Sequence, residues 1–321
     1  MLAQSVGVFF VFYLISILFT LSCNEWFLIW VGLEINMMSF IALVYDRSSG
    51  GVEVCLKYFF IQSIGSGILM MMFYTEFDWF EIISLLVLSY KMGGGPFFFW
   101  FPSICENLGW GCCFILMTVQ KILPLLLISF LVSMFLWMII LSSIVAGAIG
   151  SMNQKKMKRL MAFSSVHHIG WILFGNFLGG LMWMIYLLMY SLMIMGIMWG
   201  LWKDKILDVG MLGKVSSKWS FVLGMLSMGG MPPMLGFYMK WWLFYYLLNW
   251  DFSLLIFMVI MSVLMFYVYL RVVYGLIMGS VETWSWMNNL ENKKFFSLEL
   301  FYMMGINIGV VFWMIMYNIK M

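Results

Sequence analysis

Apolar runs close to the roughly 20 residues that span a bilayer core recur along nearly the whole chain, and most of its charge lies in the breaks between them. Of 321 residues, 64% are hydrophobic and 10% charged, too little polar surface to clothe a soluble globule. In lipid, every backbone N–H and C=O must be bonded within its own segment, so the runs are read as helices. The chain is therefore expected to be an all-α polytopic membrane protein with about eleven transmembrane helices. The spans fall at 2–22, 25–45, 53–74, 80–101, 107–132, 134–150, 159–178, 180–201, 219–248, 252–277 and 297–319. Together they form one transmembrane domain, 1–321, with no soluble domain. The first span starts at Met1 without a basic leader or a small-residue cleavage site, and reads as a mature helix.

Basic residues set the orientation. Connections 2–3, 6–7, 8–9 and 10–11 hold Arg47 and Lys57; Lys155, Lys156, Lys158 and Arg159; Lys203, Lys205, Lys214 and Lys218; and Lys293 and Lys294. Connections 1–2, 3–4, 5–6, 7–8 and 9–10 hold no lysine or arginine. This alternation puts the N-terminus and the even-numbered connections on the positive side. The C-terminus, with Lys320, falls opposite. The 35 methionines and three arginines hint at an animal mitochondrial genome, in which an additional codon reads as Met.

Two spans are interrupted. The fourth carries Lys91-Met92-Gly93-Gly94-Gly95-Pro96, and the ninth carries Gly229-Gly230-Met231-Pro232-Pro233-Met234-Leu235-Gly236. Proline removes a backbone donor and glycine loosens the helix. The released carbonyls are tolerated at membrane depth only inside protein or beside a wet cavity. The two breaks lie five spans apart, and a five-helix unit enters the membrane inverted on its second pass. Matched breaks of this kind mark an inverted-repeat transporter fold, with halves at 1–132 and 134–277 and an extra helix at 297–319. Ordinary proline kinks in packed helices are the competing reading.

Glu34, Lys91, Lys121 and Lys240 lie far from the loops. At 1.5 Å per residue, Glu34 and Lys91 sit roughly 14 and 17 Å from one membrane face, and Lys240 roughly 13 Å in. Each costs roughly 2.5–3.5 kcal/mol at that depth, so the set costs on the order of 10–14 kcal/mol where leucine would pack better. Buried ion pairs that only lock helices are the bland alternative. Three lysines facing one carboxylate cannot all be paired, however, so at least one must be neutral, hydrated or alternately protonated. Such an amine is a proton station, and Glu34 beside a lysine is a switch for it. Pro124 is expected to bend the fifth span and open space around Lys121.

His167 and His168, the two histidines of the chain, are adjacent in the seventh span and point about 100° apart. They cannot share a haem within this chain. One of them, with His168 as the candidate, can serve as a neutral proton carrier; the other option is a packing role. Arg271 is expected to snorkel toward the positive face, with a gating contact as the alternative. Lys57 and Glu53 form a local i,i+4 pair. Gly175 and Gly179 match a close-packing GxxxG. Five cysteines make neither a disulfide framework nor a metal spacing. Nothing resembles a nucleotide fingerprint, a metalloprotease motif or a nucleophile–base pair. No cofactor, metal or nucleic-acid partner is expected in this chain.

Several blocks, in order, resemble the NADH-ubiquinone oxidoreductase chain 2 family of animal mitochondria. They are Trp30-Val31-Gly32-Leu33-Glu34-Ile35-Asn36-Met37, Lys57-Tyr58-Phe59 with Gln62, and Lys91-Met92-Gly93 with Pro96-Phe97, Trp100 and Pro102. Further blocks are Gln120-Lys121 with Pro124-Leu125, Asn153-Gln154, and Ser164-Ser165 with His168 and Gly170-Trp171. The last are Gly229-Gly230-Met231-Pro232-Pro233 with Gly236-Phe237 and Lys240-Trp241, and Tyr269-Leu270-Arg271. The resemblance implies an antiporter-like subunit of the membrane arm of complex I, akin to Mrp-type antiporters and set in the mitochondrial inner membrane. Its N-terminus would face the matrix and its C-terminus the intermembrane space. NADH oxidation and ubiquinone reduction would occur in other subunits. Its partners would be those subunits, membrane lipid, protons and internal water. In that family the positions matching Glu34, Lys91, Lys121 and Lys240 form a glutamate–lysine pair and a lysine relay. Where the family often has a histidine two residues after the fourth-span proline, this chain has Phe98, which leaves water to carry the step from Lys91 to Lys121. An autonomous Na⁺/H⁺ antiporter and a structural spacer in the membrane arm are the rival functions.

Overall fold

The computed structural model describes residues 2–279 except 47, 75–78, 132, 216 and 249–251. The expected eleventh span at 297–319 lies outside the described residues, as do Arg47, Lys293, Lys294 and Lys320. Apart from one isolated backbone bridge, the regular structure described is helical. The chain divides into two compact units, Met1–Ser143 and Ile144–Met321.

In the first unit, α1 (Leu2–Ser22), α2 (Trp26–Val44) and α3 (Ser49–Tyr74) pack in succession. The α1–α2 approach depends on Gly32, where a Cβ would lie 2.2 Å from Thr20 Cγ2. The fourth span is two helices, α4 (Phe80–Met92) and α5 (Trp100–Asn107). Gly93 ends α4 in the left-handed region at φ 71°, a conformation glycine adopts without a Cβ penalty. A Cβ at Gly95 would lie 2.4 Å from the Ser143 backbone nitrogen, so the break lies directly on α8 (Leu136–Ser151).

The fifth span is broken too. α6 (Trp110–Met117) and α7 (Ile122–Ser129) are joined by a 3₁₀ turn at Val119–Lys121. Pro124 has no N–H to offer the Gln120 carbonyl, so the α-helical ladder cannot run through this turn. The bend expected near Pro124 is thus centred six residues earlier, at Thr118 (φ −121°, ψ −74°).

In the second unit, α9 (Met157–Phe177), α10 (Met182–Lys203), α11 (Lys218–Gly229), α12 (Leu235–Leu248) and α13 (Phe252–Gly279) pack around one another. The ninth span is α11 and α12, and α11 ends on left-handed Gly230 at φ 84°. Gly236 lets α12 approach so closely that a Cβ there would lie 1.9 Å from the Ser227 carbonyl. Gly175 packs against Met182 and Trp183, but Gly179 lies beyond the end of α9 at φ 83°; the expected GxxxG is half packing contact and half turn.

The lysine-rich connections 6–7 and 8–9 meet on one side of this unit. Lys156 and Asp208 form the antiparallel bridge, Met157 N–H donates to Leu207 C=O and Val209 N–H donates to Lys155 C=O. Arg271 reaches the same end and donates to the Met152 carbonyl just past α8, where a cation also suits the negative end of the helix dipole.

Among the described residues, five stretches are long and apolar enough to cross a membrane, and Gly7–Ser22 and Leu136–Ser151 are shorter apolar helices. The outward faces of α1, α3 and α13 carry Leu18, Phe60 and Val263, side chains that a bilayer or apolar neighbours would cover. At Gly147 a Cβ would lie 2.4 Å from the His167 backbone nitrogen. Gly147→Val is therefore expected to cost at least about 1–3 kcal/mol by overpacking α8 on α9, read as a lower thermal unfolding temperature.

Candidate functional site

Lys91 and Lys121 meet in the first unit. Both line one cavity of about 30 Å³, with Asn36, Tyr58, Gln62, Phe101, Gln120 and Pro124 among its walls. Lys91 stands in the last turn of α4 and is 8% exposed; Lys121 ends the 3₁₀ turn and is 1% exposed. A water needs roughly 10–15 Å³ of such space, so the cavity has room for about two.

The fourth-span break places Lys91, and the protein satisfies the carbonyls it releases. Gly93 N–H donates to the Tyr90 carbonyl and Gly94 N–H to the Ser89 carbonyl, at 3.1 and 2.9 Å. Trp100 Nε1–H adds a second bond to the Tyr90 carbonyl at 3.1 Å. Gln62 Nε2–H reaches from α3 to the Lys91 carbonyl at 3.0 Å. The Lys91 side chain runs past Gly65, where a Cβ would come within 3.1 Å of its Cγ and Cε. Gly65 is thus a slot for the lysine stem, and nothing in the local sequence marks it as one.

Lys121 lies over the Phe101 ring, 5.4 Å from its centroid, within the range of a cation–π contact. Cys105 and Cys113, both buried, are in electrostatic reach of its amine. Glu34 is half-buried on α2 and its charge acts on Lys91. Among the described residues no ion pair closes between them, and Glu34 is absent from the cavity wall. Lys57 and Glu53 do form the expected surface pair.

Lys240 lies in the second unit, 5% exposed on α12. Its amine donates to the Gly229 carbonyl at 2.9 Å, at the broken end of α11. A cation there also suits the negative end of the helix dipole. Gly230 makes room for it, since a Cβ would lie 3.3 Å from Lys240 Cδ and 3.4 Å from Nζ. Sequence reasoning named both the lysine and the break without seeing that one caps the other.

His167 is also in electrostatic reach of Lys240. Trp171 Nε1–H donates to His167 Nε2 at 3.1 Å, and His167 Nδ1 faces the Ile144 carbonyl at 3.3 Å. An Nε2 that accepts requires the proton on Nδ1, so this ring is a neutral packing residue bonded on both sides. His168 turns away from it, with ring planes 85° apart, and its Nδ1 meets the Tyr186 hydroxyl at 3.0 Å. Tyr190 packs against the His168 ring, and Tyr186 lies in electrostatic reach of Tyr269. Among the described residues no three His, Cys, Asp or Glu side chains converge to hold a metal ion.

The family model described as NADH:quinone oxidoreductase/Mrp antiporter, TM, matches residues 72–265. NADH-ubiquinone oxidoreductase chain 2 of Anopheles gambiae is 39% identical over 314 residues, covering 89% of this chain and 91% of its own. A chain of respiratory complex I from Thermus thermophilus superposes with a TM-score of 0.80 at 19% identity, covering 96% of this chain and 78% of that one. A chain of the Mrp complex of a Dietzia species gives 0.74 at 17% identity, over 83% of this chain and 59% of that one. At these identities the two structures report a shared antiporter-like helical fold.

Removing the Gln62 amide leaves the Lys91 carbonyl one donor short inside the protein. Gln62→Leu is expected to lower stability by about 1–3 kcal/mol, measured by thermal unfolding against Gln62→Asn.

Proposed function

We propose that this chain, which belongs to the NADH-ubiquinone oxidoreductase chain 2 family, is a proton-translocating subunit of the membrane arm of respiratory complex I. The observation that carries the reading is the cavity shared by Lys91 and Lys121. Two buried lysines that line one small cavity with room for water are arranged for a proton to pass from one to the other. Glu34 supplies the charge that biases Lys91. Because no ion pair closes between them among the described residues, a change in their separation changes how firmly Lys91 holds its proton. Lys240 is the station of the second unit, held at the broken end of α11, and His168, bonded to Tyr186, is the candidate proton carrier of the same unit.

On this reading the chain carries no redox group or metal of its own and takes part in NADH:ubiquinone reduction only as a subunit. NADH oxidation and quinone reduction proceed in other subunits, and their energy reaches these side chains through contacts with neighbours. The chain sits in the mitochondrial inner membrane among other membrane-arm subunits and lipid. The lysine-rich connections face the matrix, which puts the C-terminus on the intermembrane-space side. The matched Gly/Pro breaks support the inverted five-helix arrangement.

A Na⁺/H⁺ antiporter would need more mid-membrane carboxylates than Glu34. A spacer subunit would not need two amines around open volume. The decisive measurement is protons moved per NADH oxidised by the assembled complex in sealed vesicles. Lys91→Leu and Lys240→Met are each expected to slow translocation more than about tenfold, the loss that a barrier rise of roughly 1.4 kcal/mol produces. Unchanged assembly with an unchanged rate and yield of proton translocation in both variants would leave the spacer reading standing instead.

A further inference from the structure

We propose that Gln120 is the positioning residue for the step between Lys91 and Lys121, its carboxamide holding the water that joins the two amines. The inference rests on the relay reading above. Three amide side chains line the cavity: Asn36, Gln62 and Gln120. Two are committed through their nitrogens, Asn36 to Ser16 Oγ at 3.1 Å and Gln62 to the Lys91 carbonyl at 3.0 Å. Gln120 Nε2 is buried and meets no acceptor among the described residues. An amide nitrogen without an acceptor in a low-dielectric site is costly, and water in the adjoining space removes that cost.

The backbone points the same way. Pro124 cannot donate to the Gln120 carbonyl, so a helical bond is missing at the residue whose side chain also lacks one. Gln120 therefore offers an N–H donor and an oxygen acceptor next to a space of about 30 Å³ that fits about two waters. The donor lysine's ammonium fills one lone pair of a water and the other lysine's neutral amine takes one of its protons, so that water still needs one acceptor and one donor to hold one orientation. The amide supplies both.

Neither Phe98 nor a histidine is among the residues that line the cavity. No imidazole is available to the step, and an amide cannot titrate in its stead. In the transfer, one proton passes from the ammonium of the donor lysine to a water. A second proton leaves that water for the neutral amine of the other lysine, and the water is restored. Gln120 neither gains nor loses a proton; it sets the water's orientation.

The test uses assembled complex in sealed vesicles, with proton uptake and NADH oxidation measured in H₂O and D₂O. Gln120→Met keeps the length of the side chain without the amide. It is expected to slow proton translocation about tenfold and to raise the solvent isotope effect. Gln120→Asn, which keeps an amide, should recover most of the rate. Gln120→Glu places a titratable group in the cavity and should give translocation a pH profile distinct from wild type, which a packing role would not. Lys121→Met serves as the reference for the relay itself. If Lys121→Met stops translocation while Gln120→Met and Gln120→Glu behave as wild type, Gln120 has no positioning role and the relay stands. If Lys121→Met also translocates normally, the relay reading fails and this inference with it.

Discussion

A carbonyl released from a helix at membrane depth has no bulk water to accept from, and that constraint organises the functional side chains of this chain. The Gly/Pro break after α4 releases the Ser89, Tyr90 and Lys91 carbonyls, and each is bonded by a defined donor: two glycine N–H groups, the Trp100 indole and the Gln62 amide. The break after α11 releases the Gly229 carbonyl to the Lys240 amine. Beyond the end of α8, Arg271 takes the Met152 carbonyl. Polar residues that hydropathy alone would penalise are in these places because the backbone requires donors there.

Much of this was legible along the chain. Span-length apolar runs separated by charged breaks forced helices, and Gly93 and Gly230 turned out to hold the left-handed conformations that end α4 and α11. Lys91, Lys121 and Lys240 stood out because an amine in an apolar span is expensive, and all three are buried. The lysine-rich connections 6–7 and 8–9, assigned to one side from charge alone, are joined by backbone hydrogen bonds between Lys155–Met157 and Leu207–Val209.

What local pattern could not supply was partnership between distant residues. Gln62 lies 29 residues from the carbonyl it bonds, and Gly65 reads as an ordinary helical glycine until Lys91 is laid against it. The 3₁₀ turn at Val119–Lys121 was anticipated only as a bend near Pro124, because a missing N–H acts on the carbonyl of the preceding turn. The histidine pair separated for a similar reason. Their adjacency excluded a shared ligand, but only the Trp171 bond decided that His167 is the packing ring.

Lys91 and Lys240 differ in how charge couples to mechanics. At Lys91 the backbone carbonyl is held by Gln62, so the amine can change charge while the end of α4 keeps its bonds. At Lys240 the amine nitrogen is itself the clasp on α11. Loss of its proton would turn a charge-assisted bond into an ordinary one of roughly half the strength and so loosen the helix end. A change of charge on the first lysine would leave the main chain undisturbed, whereas on the second it would be felt directly as tension in the main chain.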